Sequence, residues 1–343
     1  MHATLACVVY SHTNVGILYF PVLHQINVKM LTDKVAGFFG LILVFLNVLQ
    51  SALTQAMAHR KQHFSFRLSS IVFSTECMKL GIAVMSMIVF AYSDKTRENA
   101  KKLTPTRRTI LVMAIPALLY TISNTLTYQS IALMGSTNFQ IWGNMRIVFT
   151  AVLSRLFALR PMIVLQWLAI VLLLLGSIAP SSGVCDDTHT AYRMTMTSIL
   201  CVLAQTLCTS LAGIYQEVYF KSSDQHFTLK NTCLYMWTCV FSALKLQEDL
   251  QESDDGMFAG FSNATWLTMV VYACYGQAVS LTLAYADNLV KVFATSFGAT
   301  VSLLVDVFAF GLPLQLAQIL GSIIVIISTI LFYTDTCVLT KNM

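Results

Sequence analysis

Ten stretches of mostly apolar residues, each long enough for one membrane crossing, constrain this chain more than any other feature of its sequence. They lie at approximately 36–57, 68–92, 109–131, 138–158, 162–179, 193–215, 228–246, 264–284, 289–310 and 313–333. A bilayer's hydrocarbon core is about 30 Å thick and offers backbone groups no partner, so a crossing takes about 20 helical residues that satisfy one another. Polar and turn-forming segments separate the runs: His59 to His63, Ser93 to Arg108, Gly135-Ser136, Arg160-Pro161, Pro180 to His189, Lys221 to Asp224, Glu248 to Gly256, and Gly311 to Pro313. Only 11% of the residues are charged and 56% are hydrophobic, against about 25% charged in a soluble domain. The sequence therefore predicts an all-α membrane protein with ten transmembrane helices. Residues 1–35 hold two short apolar runs broken by His12, Asn14 and His24, without the cationic start and cleavage site of a signal peptide. They read as a cytosolic extension, upstream of a start at Met30, or else as an eleventh span.

Cations accumulate on the cytosolic side of membrane proteins. The block Lys95, Arg97, Lys101, Lys102, Arg107 and Arg108 follows the second span, whereas the segment 247–263 carries Glu248, Asp249, Glu252, Asp254 and Asp255. This asymmetry predicts that both termini are cytosolic and that the acidic segment, with the sequon Asn263-Ala264-Thr265, is lumenal. Asn263 is thus a glycosylation candidate, although its closeness to the eighth span works against access.

Three cations fall inside spans: Lys79, Arg146 and Lys291. A cation at a helix centre costs about 2.5–3.5 kcal/mol on insertion scales, so such residues face a cavity or a partner. Glu76 precedes Lys79 by one turn and Asp287 precedes Lys291 by one turn, which makes a local ion pair an alternative to a binding role for both. Arg146 has no acid on its own helix face. A planar guanidinium suits bidentate contact with phosphate, the alternatives being a long-range pair with Asp306 or snorkelling to the interface. Tyr120 with Asn124, and Asn231 with Tyr235, place a phenol and an amide one turn apart on two further spans. Each pair reads either as a grip on a polar ligand or as interhelical hydrogen bonding.

A weak repeat divides the chain. Pro161 to Gln166 opens the fifth run and Pro313 to Gln318 the tenth, and both lead into aliphatic stretches containing Gly-Ser, at Gly176-Ser177 and Gly321-Ser322. Five spans per half insert the second half upside down, an arrangement that exposes one central site to each side in turn. The expected organisation is an extension at 1–35, a first five-helix half at 36–179, a lumenal loop at 180–192, a second half at 193–333 and a cytosolic tail at 334–343. Arg146 and Lys291 fall on the fourth span of their halves.

Several local motifs occur in a fixed order: Thr75 to Leu80, Pro116 to Asn124, Phe139-Gln140 leading to Arg146, Gly213 to Glu217 with Lys221 to Asp224, Asn231 to Tyr235, and Tyr285 to Lys291. Through them, from about residue 38 to 333, the chain resembles the nucleotide-sugar transporters of the drug/metabolite transporter superfamily. The resemblance is to the branch containing CMP-sialic acid, UDP-galactose and UDP-N-acetylglucosamine transporters. It implies a ten-span antiporter that carries a nucleotide sugar from the cytosol into the Golgi or endoplasmic reticulum lumen and returns a nucleoside monophosphate, without a cofactor. It also implies that Lys79, Tyr120, Asn124, Arg146 and Lys291 line the nucleotide and phosphate region, and that Asn231 and Tyr235 contribute to base and ribose recognition. Glu76 would orient Lys79, with Gln140, Asp287 and Asn288 in support. The chain departs from the family at Arg146, where relatives usually carry Lys, and at the preceding Trp142 to Met145. That departure bears on substrate more than on class; a UDP-sugar is favoured over CMP-sialic acid.

Other classes find less support in the residues. His2, His12, His24, His59, His63, His189 and His226 lie outside the spans and form no metal-ligand spacing, so an intramembrane enzyme lacks its reactive groups. The nine cysteines show no CxxC pattern. A non-transporting membrane scaffold shares the same composition and is separated from a carrier by an exchange assay. The partners expected are the nucleotide sugar, the monophosphate and membrane lipid, with no nucleic acid; a homo-oligomer is compatible with the sequence.

Overall fold

The computed structural model describes residues 37–53, 68–93, 103–157, 162–182, 195–251, 256–310 and 316–339. Among them are ten helices and no strand: α1 (Gly37–Leu53), α2 (Leu68–Ser93), α3 (Arg107–Gly143), α4 (Met145–Leu156), α5 (Val164–Ser182), α6 (Met196–Ser222), α7 (Phe227–Gln251), α8 (Asn263–Tyr285), α9 (Asn288–Phe310) and α10 (Leu316–Leu339). By length and composition four segments are able to cross a membrane, namely Ser69–Ser93, Arg107–Thr127, Met196–Ser222 and Asn263–Tyr285. Shorter apolar runs occupy Gly37–Leu53, Val164–Ile178 and Ile319–Phe332. The expected extension and the tail residues 340–343 lie outside the described residues, as do 183–192 of the expected lumenal loop and 193–194 of the second half.

The helices α2, α3 and α8 carry apolar residues all round rather than on one face, as required when one side meets other helices and the opposite side meets lipid tails. Phe45, Met85, Leu111, Leu175, Leu267 and Ile330 are accordingly exposed. Inside the bundle, one apolar cluster joins α4, α5, α9 and α10 through Ile147, Leu173, Phe293 and Phe332. The rings of Phe293 and Phe332 stack with centroids 4.2 Å apart. A second cluster joins α3, α6 and α7 through Met113, Phe220 and Leu234. A third places Leu43 of α1 against Ala278 of α8 and Ala294 of α9. Capping boxes start two of the helices: Thr195 with Ser198 opens α6, and Ser262 with Thr265 opens α8.

Small residues set the crossing of α5 and α10. A Cβ on Gly176 of α5 would lie 2.9 Å from the carbonyl oxygen of Gly321 on α10, so only glycine lets these backbones approach. The two Gly-Ser elements of the sequence repeat therefore meet each other.

The described helices depart from the expected spans at several points: α6 runs past 215 to Ser222, α7 past 246 to Gln251 and α10 past 333 to Leu339, and two expected separators are displaced. The separator expected at Gly135-Ser136 is absent, because α3 runs through it to Gly143. Glycine costs a helix interior about 1 kcal/mol in water, and backbone in an apolar surround gains more by keeping its hydrogen bonds. The break falls instead at Asn144, which stays near helical dihedrals at φ −67° and ψ −14° while Ile147 N–H reaches its carbonyl at 3.0 Å. The Asn144 amide donates to the Ser177 carbonyl at 3.1 Å, tying this joint to α5. Helix α5 also continues to Ser182, past the loop start expected at Pro180.

Candidate functional site

Glu76 and Lys79 are one turn apart on α2, and Lys79 Nζ donates to Glu76 Oε1 at 2.7 Å. The second carboxylate oxygen accepts from the Thr238 hydroxyl of α7 at 2.8 Å. Glu76 is thus buried with both oxygens engaged, which fixes the ammonium as well as neutralising it. Lys79 Nζ also sits 5.9 Å from the centre of the Tyr235 ring, within range of a cation–π contact. The lysine stem lies across Gly276 of α8, where a Cβ would come within 2.6 Å of Lys79 Cε.

The phenol–amide pairs are spent partly on the scaffold. Tyr120 of α3 donates to Gln216 Oε1 of α6 at 3.1 Å, and Gln216 Nε2 donates to Ser280 Oγ of α8 at 3.2 Å. The Ser280 hydroxyl in turn pairs with the Tyr235 hydroxyl of α7 at 3.0 Å. Four helices are joined by this buried chain. Asn231 Nδ2 donates to Gln277 Oε1 at 2.7 Å, and Gln277 Nε2 donates to the Lys79 carbonyl at 2.7 Å. Asn231 Oδ1 has no partner, so its amide retains one acceptor for a ligand. Asn124 is exposed on α3, one turn beyond Tyr120.

Arg146 opens α4 and Lys291 lies in the first turn of α9. The ion pairs among the described residues are Glu76 with Lys79, Glu217 with Lys221, and Lys245 with Glu248 and Asp249; neither Arg146 nor Lys291 belongs to one. The two cations are within electrostatic reach of each other. Arg146 is exposed. Tyr275 of α8 is within electrostatic reach of both Arg146 and Tyr120, which links this region to the first.

The start of α9 is held by carboxylates. Glu217 Oε2 accepts from the Asn288 backbone N–H at 2.9 Å while its other oxygen accepts from Lys221 Nζ at 2.7 Å. Asp287 Oδ1 accepts from the Val290 N–H at 2.7 Å. Acids at a helix N-terminus complement its dipole and its unpaired N–H groups, so Asp287 has a capping role in addition to the ion pairing weighed from its spacing to Lys291. Gly213 of α6 provides the floor: a Cβ there would lie 2.7 Å from Asn288 Oδ1 and 2.9 Å from Lys291 Nζ. Both side-chain amide atoms of Asn288 are buried without a partner. Leaving such atoms unpaired costs about 1–3 kcal/mol each, a cost that a bound ligand or water removes.

A cavity of about 300 Å³ lies between α2, α3 and α7, with Glu76, Tyr120 and Asn124 at one end and Lys245 and Asp249 at the other. The geometry brings Glu76, Lys79 and Tyr235 together, and connects Tyr120 and Asn231 to them through Gln216, Ser280 and Gln277. Gly213, Gln216 and Glu217 fall within one of the ordered sequence motifs, which gives them no site role, whereas Gln277 and Ser280 lie outside those motifs; a polar side chain within an apolar run is the available signal for the latter two. The side chains of Gln140 and Asp306 lie outside the described residues. Asn263 is exposed in the first residue of α8, but Thr265 of its sequon is buried in the capping box with Ser262. Among the described residues no group of three or more His, Cys, Asp or Glu side chains is placed to hold a metal ion.

A family model described as "Nucleotide-sugar transporter" matches residues 35–334. The chain is 27% identical over 305 residues to CMP-sialic acid transporter 1 of Arabidopsis thaliana, covering 86% of this chain and 89% of the relative. It is 30% identical over 226 residues to the UDP-galactose transporter of Schizosaccharomyces pombe, covering 64% of each chain. It is 28% identical over 232 residues to the human UDP-N-acetylglucosamine transporter, covering 66% of this chain and 71% of the relative. A crystal structure of another protein superposes with a TM-score of 0.64 at 13% identity, over 88% of this chain and 98% of that one; this likeness concerns the fold alone.

Proposed function

Because the chain belongs to the nucleotide-sugar transporter family, we propose that it is an antiporter exchanging a nucleotide sugar, a UDP-sugar by preference, for a nucleoside monophosphate across the Golgi or endoplasmic reticulum membrane. The observation that carries this reading is the pair of cations Arg146 and Lys291, near each other on α4 and α9 and in none of the ion pairs of the described residues. Two cations in none of these ion pairs, one of them with the Glu217 carboxylate within electrostatic reach, are costly in an apolar surround and suit a phosphate-bearing ligand. The phosphates common to the incoming conjugate and the outgoing monophosphate engage both, so the two ligands compete for one site. Lys79 adds a third positive group, moderated by Glu76, while Tyr120, Asn124, Asn231 and Tyr235 receive the ribose and base.

Alternating access in this reading is the rocking of two inverted five-helix halves, with both termini cytosolic. The contact of Gly176 with Gly321, one from each element of the sequence repeat, supports that symmetry. Each cation then stands on the fourth helix of its half, near the pseudo-twofold axis where transporter sites form.

CMP-sialic acid is the second reading, favoured by the name of the Arabidopsis relative, which aligns over 86% of this chain. Thermal stabilisation of the purified protein by UMP, CMP, GMP and AMP decides between the bases. A ligand at a hundredfold excess over its Kd adds about 2.7 kcal/mol of stability. Selective stabilisation by UMP, followed by UMP-driven uptake of a UDP-sugar into vesicles, is the expected result. Selective stabilisation by CMP transfers the assignment to CMP-sialic acid, and nucleotide binding without exchange in vesicles points to a non-transporting role.

A further inference from the structure

Two cysteines on different helices meet beside the candidate site. Of the six free cysteines among the described residues, Cys77 of α2 and Cys239 of α7 have their sulfurs 3.3 Å apart. Each follows a residue of the polar contact between these helices, since the Thr238 hydroxyl donates to Glu76 Oε2 at 2.8 Å. Cys77 lies on a different face of α2 from the cavity. Ser69, Val72 and Glu76 line that space, whereas helical periodicity sets Cys77 in a stripe with Met85, Ile88 and Tyr92, all of them exposed like the cysteine. In a membrane helix such an apolar outer stripe meets lipid tails. Cys77 is nine residues beyond Leu68, where α2 starts. That is about 14 Å of helix, which sets the pair near the middle of a hydrocarbon core about 30 Å thick.

That depth decides which oxidants reach the sulfurs. Glutathione disulfide is charged and stays in water, because charge is costly in hydrocarbon; an organic hydroperoxide is uncharged and enters lipid. Its reaction with two thiols balances without a further reagent. Cys77 Sγ attacks the terminal oxygen of the hydroperoxide, the O–O bond breaks, and the thiol proton leaves with the alkoxide as an alcohol. Cys239 Sγ then displaces the hydroxyl of the resulting sulfenic acid. The S–O bond breaks, an S–S bond forms, and water carries off the second proton. Two electrons pass from the thiols to the hydroperoxide. An S–S bond is about 2.05 Å long, so an approach of about 1.2 Å by the two sulfurs closes it.

We propose that Cys77 and Cys239 are an oxidative modification site for lipid-soluble hydroperoxides, and that the disulfide formed there ties the two halves of the bundle together and stops exchange. The second clause rests on the transporter reading above, in which α2 and α7 belong to different halves that move against each other. Protein in vesicles is treated with cumene hydroperoxide or with glutathione disulfide. Exchange is then measured, and the linked peptide containing Cys77 and Cys239 is sought by mass spectrometry. Cumene hydroperoxide is expected to yield that peptide and to lower exchange at least tenfold, with recovery on adding dithiothreitol; glutathione disulfide is expected to do neither. Cys77→Ser and Cys239→Ser are each expected to exchange as the wild type does, and to keep doing so after hydroperoxide. Either variant suffices should the other fail to fold. Absence of the linked peptide from treated wild type overturns the site, and an equal yield with glutathione disulfide overturns its restriction to lipid-soluble oxidants. Linked protein that still exchanges, or variants inhibited as strongly as wild type, overturn the lock. Folded protein that exchanges no nucleotide before oxidation overturns the transporter reading and the lock with it, while the linked peptide by itself still decides the modification site.

Discussion

A missing methyl group at Gly213 gives Lys291 and Asn288 their position. The lysine ammonium and the asparagine amide occupy the volume in which a Cβ would sit, at 2.7–2.9 Å from its ideal position, and no side-chain carbon tolerates such distances. Gly213→Ala therefore displaces both groups by a few tenths of an ångström to an ångström. Misplacement of that size in a positioned site costs up to about a hundredfold in rate, so exchange in vesicles is expected to fall at least tenfold while the protein still inserts. Wild-type rates in this variant would remove the α6–α9 contact from the site. Arg146 poses a different question, because its guanidinium and a lysine ammonium differ in shape rather than charge. Arg146→Lys is expected to retain exchange if a point charge suffices; a well-folded but inactive Lys variant would establish bidentate contact with phosphate.

Helix pairing obeys the same close-approach rule on a larger scale. The crossing of α5 and α10 depends on Gly176 meeting the Gly321 backbone, with Ile170, Leu173, Val325 and Phe332 packed around it. Gly176→Val forces the two helices apart, and overpacking of this kind costs about 1–3 kcal/mol. A lowered thermal midpoint with unchanged nucleotide preference is the expected outcome, read by thermal denaturation with and without ligand. The pairing of α2 with α7 includes polar contacts of another type, the Thr238 hydroxyl on Glu76 and Cys77 Sγ 3.3 Å from Cys239 Sγ. Since polar contacts between membrane helices average only about 0.6 kcal/mol, this pairing is better suited to rearrangement during a transport cycle than the glycine crossing is.

At the scale of the whole molecule, cations from two separate helices converge on one region, and both are needed if phosphate bridges them. Arg146→Ala and Lys291→Ala are each expected to abolish exchange with membrane expression intact, and transport at wild-type rates in either would exclude that residue from the phosphate site. Sequence alone determined the membrane class, the helical content and the cations inside apolar runs, because spans need a fixed length of apolar chain and an intramembrane charge needs a reason. The ordered motifs likewise indicated the family. Sequence did not determine that α3 runs on to Gly143, since a glycine reads as a turn wherever water is assumed to compete for its backbone. Only the tertiary structure decided how the ambiguous pairs are used. Glu76 engages Lys79 and α7, Asp287 caps α9, and Tyr120 and Asn231 are tied through Gln216 and Gln277 to helices far away in the chain. Periodicity reports which residues share a face of one helix, whereas a binding site depends on which faces meet, and that follows from the packing of all of them together.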